Sequence, residues 1–122
     1  MINEERLLNE FLELVQIDSE SKNEAEISKV LKEKFTALGV DVYEDNAAEQ
    51  TGFGAGNLIC TLQATKDNVD AIYFTSHMDT VVPGKSIKPS VKDGYIVSDG
   101  TTILGADDKA GLAAMLDRKS VV

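Results

Sequence analysis

A change of hydrophobic period at Gly39 constrains this chain more than any other feature. Before it, apolar residues recur at helical spacing; after it, they alternate or gather in short runs. Leu7, Phe11, Leu14 and Val15 form one helical stripe, widened by Leu8 and Leu12. Ile27, Val30, Leu31, Phe35 and Leu38 form a second. Asn3 is placed to cap the first helix, and Glu4 and Glu5 sit where the helix dipole favours negative charge. A polar break over 16–23 separates the two helices. Ser21-x-x-Glu24 has the spacing of a capping box for the second, and Gly39 suits its C-terminal end.

Beyond Gly39, Val40-Asp41-Val42-Tyr43 alternates like a half-exposed strand, and 57–62 reads as another after the turn-like stretch 45–56. The run Gly52-Phe53-Gly54-Ala55-Gly56 is followed by a strand rather than a helix, which excludes a dinucleotide-binding turn. Ala71-Ile72-Tyr73-Phe74 has the continuous apolar character of a central strand covered on both faces. Residues 91–97 give a further strand with a turn at Asp93-Gly94, and a third helix begins at Lys109 and runs through Leu112 and Met115. Helices and strands in this mixed order predict an α/β domain, a mixed sheet flanked by helices.

Composition narrows the partners. The 122 residues are 43% apolar and 27% charged, a globular balance, and the net charge is −9. Such an acidic chain repels phosphate backbones and anionic membrane surfaces, so neither nucleic acid nor a membrane is expected as a partner. The first ten residues lack the apolar stretch of a secretory signal, no run is long enough to span a membrane, and a cytoplasmic location is expected. The single cysteine, Cys60, lies in the apolar run Leu58-Ile59-Cys60-Thr61-Leu62 and reads as a core residue rather than a nucleophile.

Two short segments carry chemistry. Thr75-Ser76-His77-Met78-Asp79-Thr80 follows the apolar run 71–74, at the strand end where ligands of open α/β sheets collect. Extended geometry puts His77 and Asp79 on one side and Met78 on the other. Imidazole is a good zinc ligand, and a metal-bound histidine usually gives its second nitrogen to a carboxylate, a role open to Asp79. Taken alone, His-x-Asp fits a satisfied polar histidine better. The other segment is Leu104-Gly105-Ala106-Asp107-Asp108-Lys109-Ala110-Gly111, where adjacent carboxylates open a helix. Either can simply cap that helix. A nearby dication would relieve the repulsion between them.

Together, the stretches from Thr75 to Gly84 and from Asp99 to Gly111 resemble the M20 family of metallopeptidases, in its tripeptide aminopeptidase (peptidase T-like) branch. The resemblance implies the N-terminal part of a zinc-exopeptidase-type catalytic domain over residues 1–116. It implies that His77 is the terminal ligand of one zinc and that Asp107, two positions before Lys109, bridges two zinc ions. Asp79 would orient the histidine, and the Asp107–Asp108 peptide would be cis. The implied reaction is hydrolysis of short peptides by a water that two zinc ions activate and a glutamate deprotonates. Relatives can be homodimers through a lid domain, which is not in this sequence.

The further ligands and the glutamate of that mechanism are expected downstream of the third helix, and His77 is the only histidine. Asp117-Arg118-Lys119-Ser120-Val121-Val122 departs from an amphipathic continuation, so 117–122 is read as an atypical tail left by truncation. The chain alone is expected to bind zinc weakly and to lack peptidase activity. Two other readings stay open: an N-acyl amino acid deacylase or carboxypeptidase of the same family, and an acidic α/β magnesium-binding or phosphoacceptor domain using Asp107 and Asp108. The last has no use for His77.

Overall fold

The computed structural model describes residues 2–120. Helix α1 (Glu4–Val15) starts as its sequence requires: Asn3 is the N-cap, and its side-chain oxygen accepts from the Arg6 amide at 3.0 Å. Helix α2 (Ala25–Ala37) ends in a turn whose Gly39 has φ of 79°, the left-handed conformation that glycine adopts without steric penalty. The antiparallel pair β1 (Asp41–Glu44) and β2 (Leu58–Thr61) follows, in register from Asp41 opposite Thr61 to Glu44 opposite Leu58. Between them lies the short helix α3 (Ala47–Thr51). A second hairpin joins β3 (Ser90–Lys92) to β4 (Tyr95–Val97) through Asp93 and Gly94, both at positive φ. Helix α4 (Ala106–Ser120) completes the described chain.

The core lies among three helices. Phe11, Leu14 and Val15 of α1, Ile27, Leu31 and Phe35 of α2, and Leu112, Ala113 and Leu116 of α4 close on one another, with Val40 beside them. These are the stripes read from the sequence. Each large apolar side chain removed from water here contributes about 1.5–3 kcal/mol. The α1–α4 contact carries an ion pair as well, Arg6 Nη2 to Asp117 Oδ1 at 2.8 Å. Among the described residues no helix is long and apolar enough to cross a membrane.

The mixed α/β character is as expected, but four local expectations are corrected. First, 71–74 forms no strand rather than a covered central one, with Ile72, Tyr73 and Phe74 79%, 86% and 74% exposed. The described strands form two separate two-stranded sheets, and neither includes this run. Second, Ser21-x-x-Glu24 is not a capping box. Glu24 itself is the N-cap of α2 and makes no side-chain cap; its carboxylate accepts from the Lys22 amide, and the Ser21 hydroxyl is engaged elsewhere. Third, Cys60 is exposed on β2 rather than a core residue; partial burial nevertheless raises its thiol pKa, which disfavours the nucleophilic thiolate. Fourth, 45–56 is not turn throughout, since it holds α3.

The expected break at residue 117 does not interrupt the helix. Helix α4 runs on to Ser120, and Asp117 is buried against Arg6, so a charge on an apolar face is accommodated by pairing. Residues 121–122 of the expected tail lie outside the described residues.

Candidate metal centre

The start of α4 is built by an unusual turn. Gly105 has φ of 85°, the Asp107–Asp108 peptide is cis as the resemblance implied, and both aspartates have non-helical backbone angles. The two carboxylates diverge. Asp108 turns inward, accepting from the Gly111 amide at 3.1 Å and from Ser76 Oγ at 2.7 Å, so it is the capping residue. A Cβ at 111 would come within 2.5 Å of Asp108 Oδ2, so any larger residue there would displace that carboxylate. Asp107 turns outward, with its side chain 95% exposed.

Lys109 anchors this turn from beneath. The residue is only 1% exposed, and its Nζ donates to the Ile17 carbonyl at 2.7 Å. Burial pushes its pKa down to about 8, with the charge of Asp18 acting in the opposite direction. Helix α4 is thereby tied to the loop between α1 and α2.

The same loop holds the histidine segment. The Thr80 amide donates to the Ser19 carbonyl at 2.9 Å and the Ser21 amide to the Thr80 carbonyl at 3.0 Å, an isolated parallel bridge at Glu20 and Thr80. Asp79, just before the bridge, receives the Ser21 hydroxyl on Oδ2 at 2.5 Å. Its Oδ1 lies 3.2 Å from His77 Nδ1, and its backbone carbonyl lies 3.0 Å from the same nitrogen. The other imidazole nitrogen, Nε2, faces Asp107 Oδ1 at 2.9 Å. The structure therefore brings His77, Asp79 and Asp107 into one line of contacts, carboxylate to imidazole to carboxylate. The hydrogen bond to Asp107 is the largest cause of a raised His77 pKa, and burial opposes it. The backbone carbonyl and charge of Asp79 reinforce the rise.

This donor set is of the kind that holds a divalent ion. A proton held on Nδ1 by the acceptors there would leave Nε2 as the nitrogen able to offer a lone pair to a metal. Two ligands on a tetrahedral zinc at about 2.0–2.1 Å stand roughly 3.3 Å apart, and the 2.9 Å between Nε2 and Oδ1 is close to that edge. Among the described residues no group of three or more ligand-type side chains is gathered around one point, so the pair offers part of a coordination shell. The groove lined by Arg6, Leu7, Lys34, Leu38, Leu116 and Asp117 lies among the helices and includes neither His77 nor Asp107.

Three participants were not singled out from the sequence. Ser76 holds Asp108, Lys109 ties the turn to Ile17, and Ser21 holds Asp79. Only Lys109 had a local signal, its place in Gly-x-Asp-x-Lys-x-Gly.

The mixed α/β chain thus presents an imidazole between two carboxylates beside a glycine-bounded turn. It is 70% identical over all 122 residues to the uncharacterized protein YqjE of Bacillus subtilis (strain 168), covering 33% of that protein. It is 29% identical to Peptidase T of Clostridium perfringens (strain SM101 / Type A), over 87% of this chain and 35% of that one. Among solved structures, the aminopeptidase PepT of Bacillus cereus ATCC 10987 superposes with a TM-score of 0.96 at 75% identity, over 98% of this chain and 32% of that one. A tripeptidase of Staphylococcus aureus subsp. aureus Mu50 superposes with a TM-score of 0.95 at 66% identity, over 99% of this chain and 32% of that one. No protein-family model matches the sequence. The chain is peptidase T-like in sequence and fold over essentially all its length, and it spans about a third of the length of these relatives.

Proposed function

We propose that this chain is part of an M20-type, peptidase T-like metallopeptidase that removes the N-terminal residue from tripeptides and similarly short peptides in the cytoplasm. The observation that carries the reading is the facing pair His77 Nε2 and Asp107 Oδ1 at 2.9 Å, set in a chain similar throughout to proteins named as aminopeptidase and tripeptidase.

In this reading His77, through Nε2, and Asp107 would hold zinc, which when bound would supply Lewis acidity toward a peptide carbonyl and acidify a water. The chain's own residues have simpler tasks. Asp79 keeps the proton of His77 on Nδ1, so that the lone pair on Nε2 points outward. Asp108 and Ser76 hold the turn, so that the carboxylate of Asp107 is directed to the imidazole rather than spent on the helix amides. Lys109 keeps the turn seated on the α1–α2 loop, which also carries the histidine segment.

Alone, the 122-residue chain supplies two ligands, and its sequence has no second histidine. It is expected to bind zinc weakly and to leave tripeptides intact. Calorimetry showing tight uptake of two zinc ions, or clear tripeptide cleavage, would overturn that part.

The activity itself is tested in a chimera in which this chain replaces the matching third of the Bacillus cereus aminopeptidase. The expected result is zinc-dependent release of the N-terminal residue from tripeptides, lost in the His77→Ala chimera. A folded, zinc-loaded chimera without cleavage would contradict the reading. Magnesium binding that survives His77→Ala would favour the phosphoacceptor-like alternative.

A further inference from the structure

The hydroxyl of Ser21 lies 58 residues from Asp79 in sequence, yet it donates to Asp79 Oδ2 at 2.5 Å, with a longer contact of 3.3 Å to the Thr80 carbonyl. Ser21 is exposed, and its own amide already holds the Thr80 carbonyl. Its side chain is thus not needed for the backbone bridge. What it contacts is the far oxygen of the carboxylate whose near oxygen faces His77 Nδ1. A carboxylate on an exposed segment rotates readily about its terminal torsion, which has broad minima. A hydroxyl bound to one oxygen removes that freedom and fixes where the other oxygen points.

We propose that Ser21 is a positioning residue: its hydroxyl holds the Asp79 carboxylate so that Oδ1 stays on His77 Nδ1 and the imidazole presents Nε2 outward toward Asp107. This rests on the metal-site reading only for its purpose, since the geometry it describes is that of the metal-free chain. For the proton of the neutral imidazole, Nδ1 has the Asp79 carbonyl at 3.0 Å with its carboxylate Oδ1 at 3.2 Å, and Nε2 has the Asp107 carboxylate at 2.9 Å. Asp107 is the more exposed of the two, and solvent weakens its hold. With Ser21 in place, the Nδ1–H form wins. Without the hydroxyl the Asp79 carboxylate is freed, Nδ1 keeps only the backbone carbonyl, and the Nε2–H form gains.

His77 is the only histidine, so the test reads one ring without ambiguity. The 122-residue chain is labelled with ¹⁵N at histidine, freed of metal with a chelator, and studied by long-range ¹H–¹⁵N correlation at alkaline pH, where the imidazole is neutral. Wild type is expected to show the Nδ1–H tautomer. Ser21→Ala and Ser21→Val are expected to shift both ring nitrogens toward the Nε2–H pattern. Ser21→Thr, the same shape as valine but with the hydroxyl kept, is expected to restore the wild-type pattern. Thermal melts of all four proteins should nearly coincide, because the backbone bridge at Thr80 is intact in each. Wild-type ring shifts in Ser21→Ala would overturn the proposal. So would Ser21→Thr departing as far as Ser21→Val, or loss of the fold in Ser21→Ala, either of which would make Ser21 merely structural. A wild-type chain with the Nδ1–H tautomer but no response to zinc would sink the metal-site reading and leave this inference standing.

Discussion

The three-helix layer and the segment running from 62 to 79 are built on opposite terms. In the first, Leu14, Val15 and Ile27 are wholly buried, and every helical stripe finds another to pack on. In the second, Ile72, Tyr73 and Phe74 are as apolar as the core residues but stand in solvent, and backbone pairing returns only at Thr80. The candidate site straddles the boundary: Asp107 comes from the packed side and His77 from the uncovered side. A metal-ligand pair can therefore be half rigid, its carboxylate seated by Lys109 and Asp108 and its imidazole held by a short backbone bridge and Asp79. The contrast also separates what stabilises the fold from what shapes the site.

The largest effect should come from breaking the packed side. Leu14→Ala is expected to cost about 2–5 kcal/mol, visible in chemical denaturation, because a fully buried leucine leaves a cavity among α1, α2 and α4. On the uncovered side Phe74→Ser should change stability by less than about 0.5 kcal/mol by the same measurement. Comparable losses at the two positions would erase the distinction.

A second test probes the anchor beneath Asp107. The folded pKa of Lys109, about 8, lies below its ordinary 10.5 because the ammonium is buried. Between those values the unfolded chain holds a proton that the folded chain has shed, so stability should rise with pH through that window. The gain expected from pH 7 to 9.5 is roughly 2 kcal/mol in denaturant titrations. Lys109→Met should flatten the slope. A slope unchanged in that variant would show that the lysine is not held dry.

The smallest effect belongs to the edge of the first ribbon. The Lys32 ammonium beside Glu44, 2.7 Å away, holds that carboxyl below its usual range, aided by the Gly56 amide. A lowered folded pKa contributes stability above the ordinary carboxylate value, lost as pH falls through the folded one. The pair is largely screened by solvent, so Lys32→Met should reduce acid sensitivity by only about 0.5 kcal/mol between neutral pH and pH 3.

How far the sequence alone reached follows the same boundary. The helices were legible because their stripes are answered within the chain; Leu14, Ile27 and Leu112 needed only one another. The run 71–74 announced a need for cover, but periodicity names no provider, and neither described sheet includes it. At the site, residue type and spacing drew attention to His77, Asp79 and the Asp107-Asp108 pair, and only the resemblance assigned them roles and selected Asp107. The division of labour between Asp107 and Asp108 was not legible, since either can cap a helix until the direction of the turn is known. Ser21 misled outright: Ser-x-x-Glu is a local pattern, and nothing local reports that the hydroxyl is taken by a carboxylate 58 residues on. The burial of Lys109 was equally silent, since a lysine among alanines and glycines reads as a surface residue.

The central claim is that the imidazole of His77 offers Nε2 to a metal while Asp79 keeps the proton on Nδ1. Zinc added to the ¹⁵N-histidine-labelled chain tests it directly. The account predicts a change at Nε2 that saturates with zinc, with Nδ1 still protonated, and no such change in Asp107→Ala at the same zinc concentration. A zinc-dependent change at Nδ1 instead, or no change at either nitrogen at saturating zinc, would contradict it.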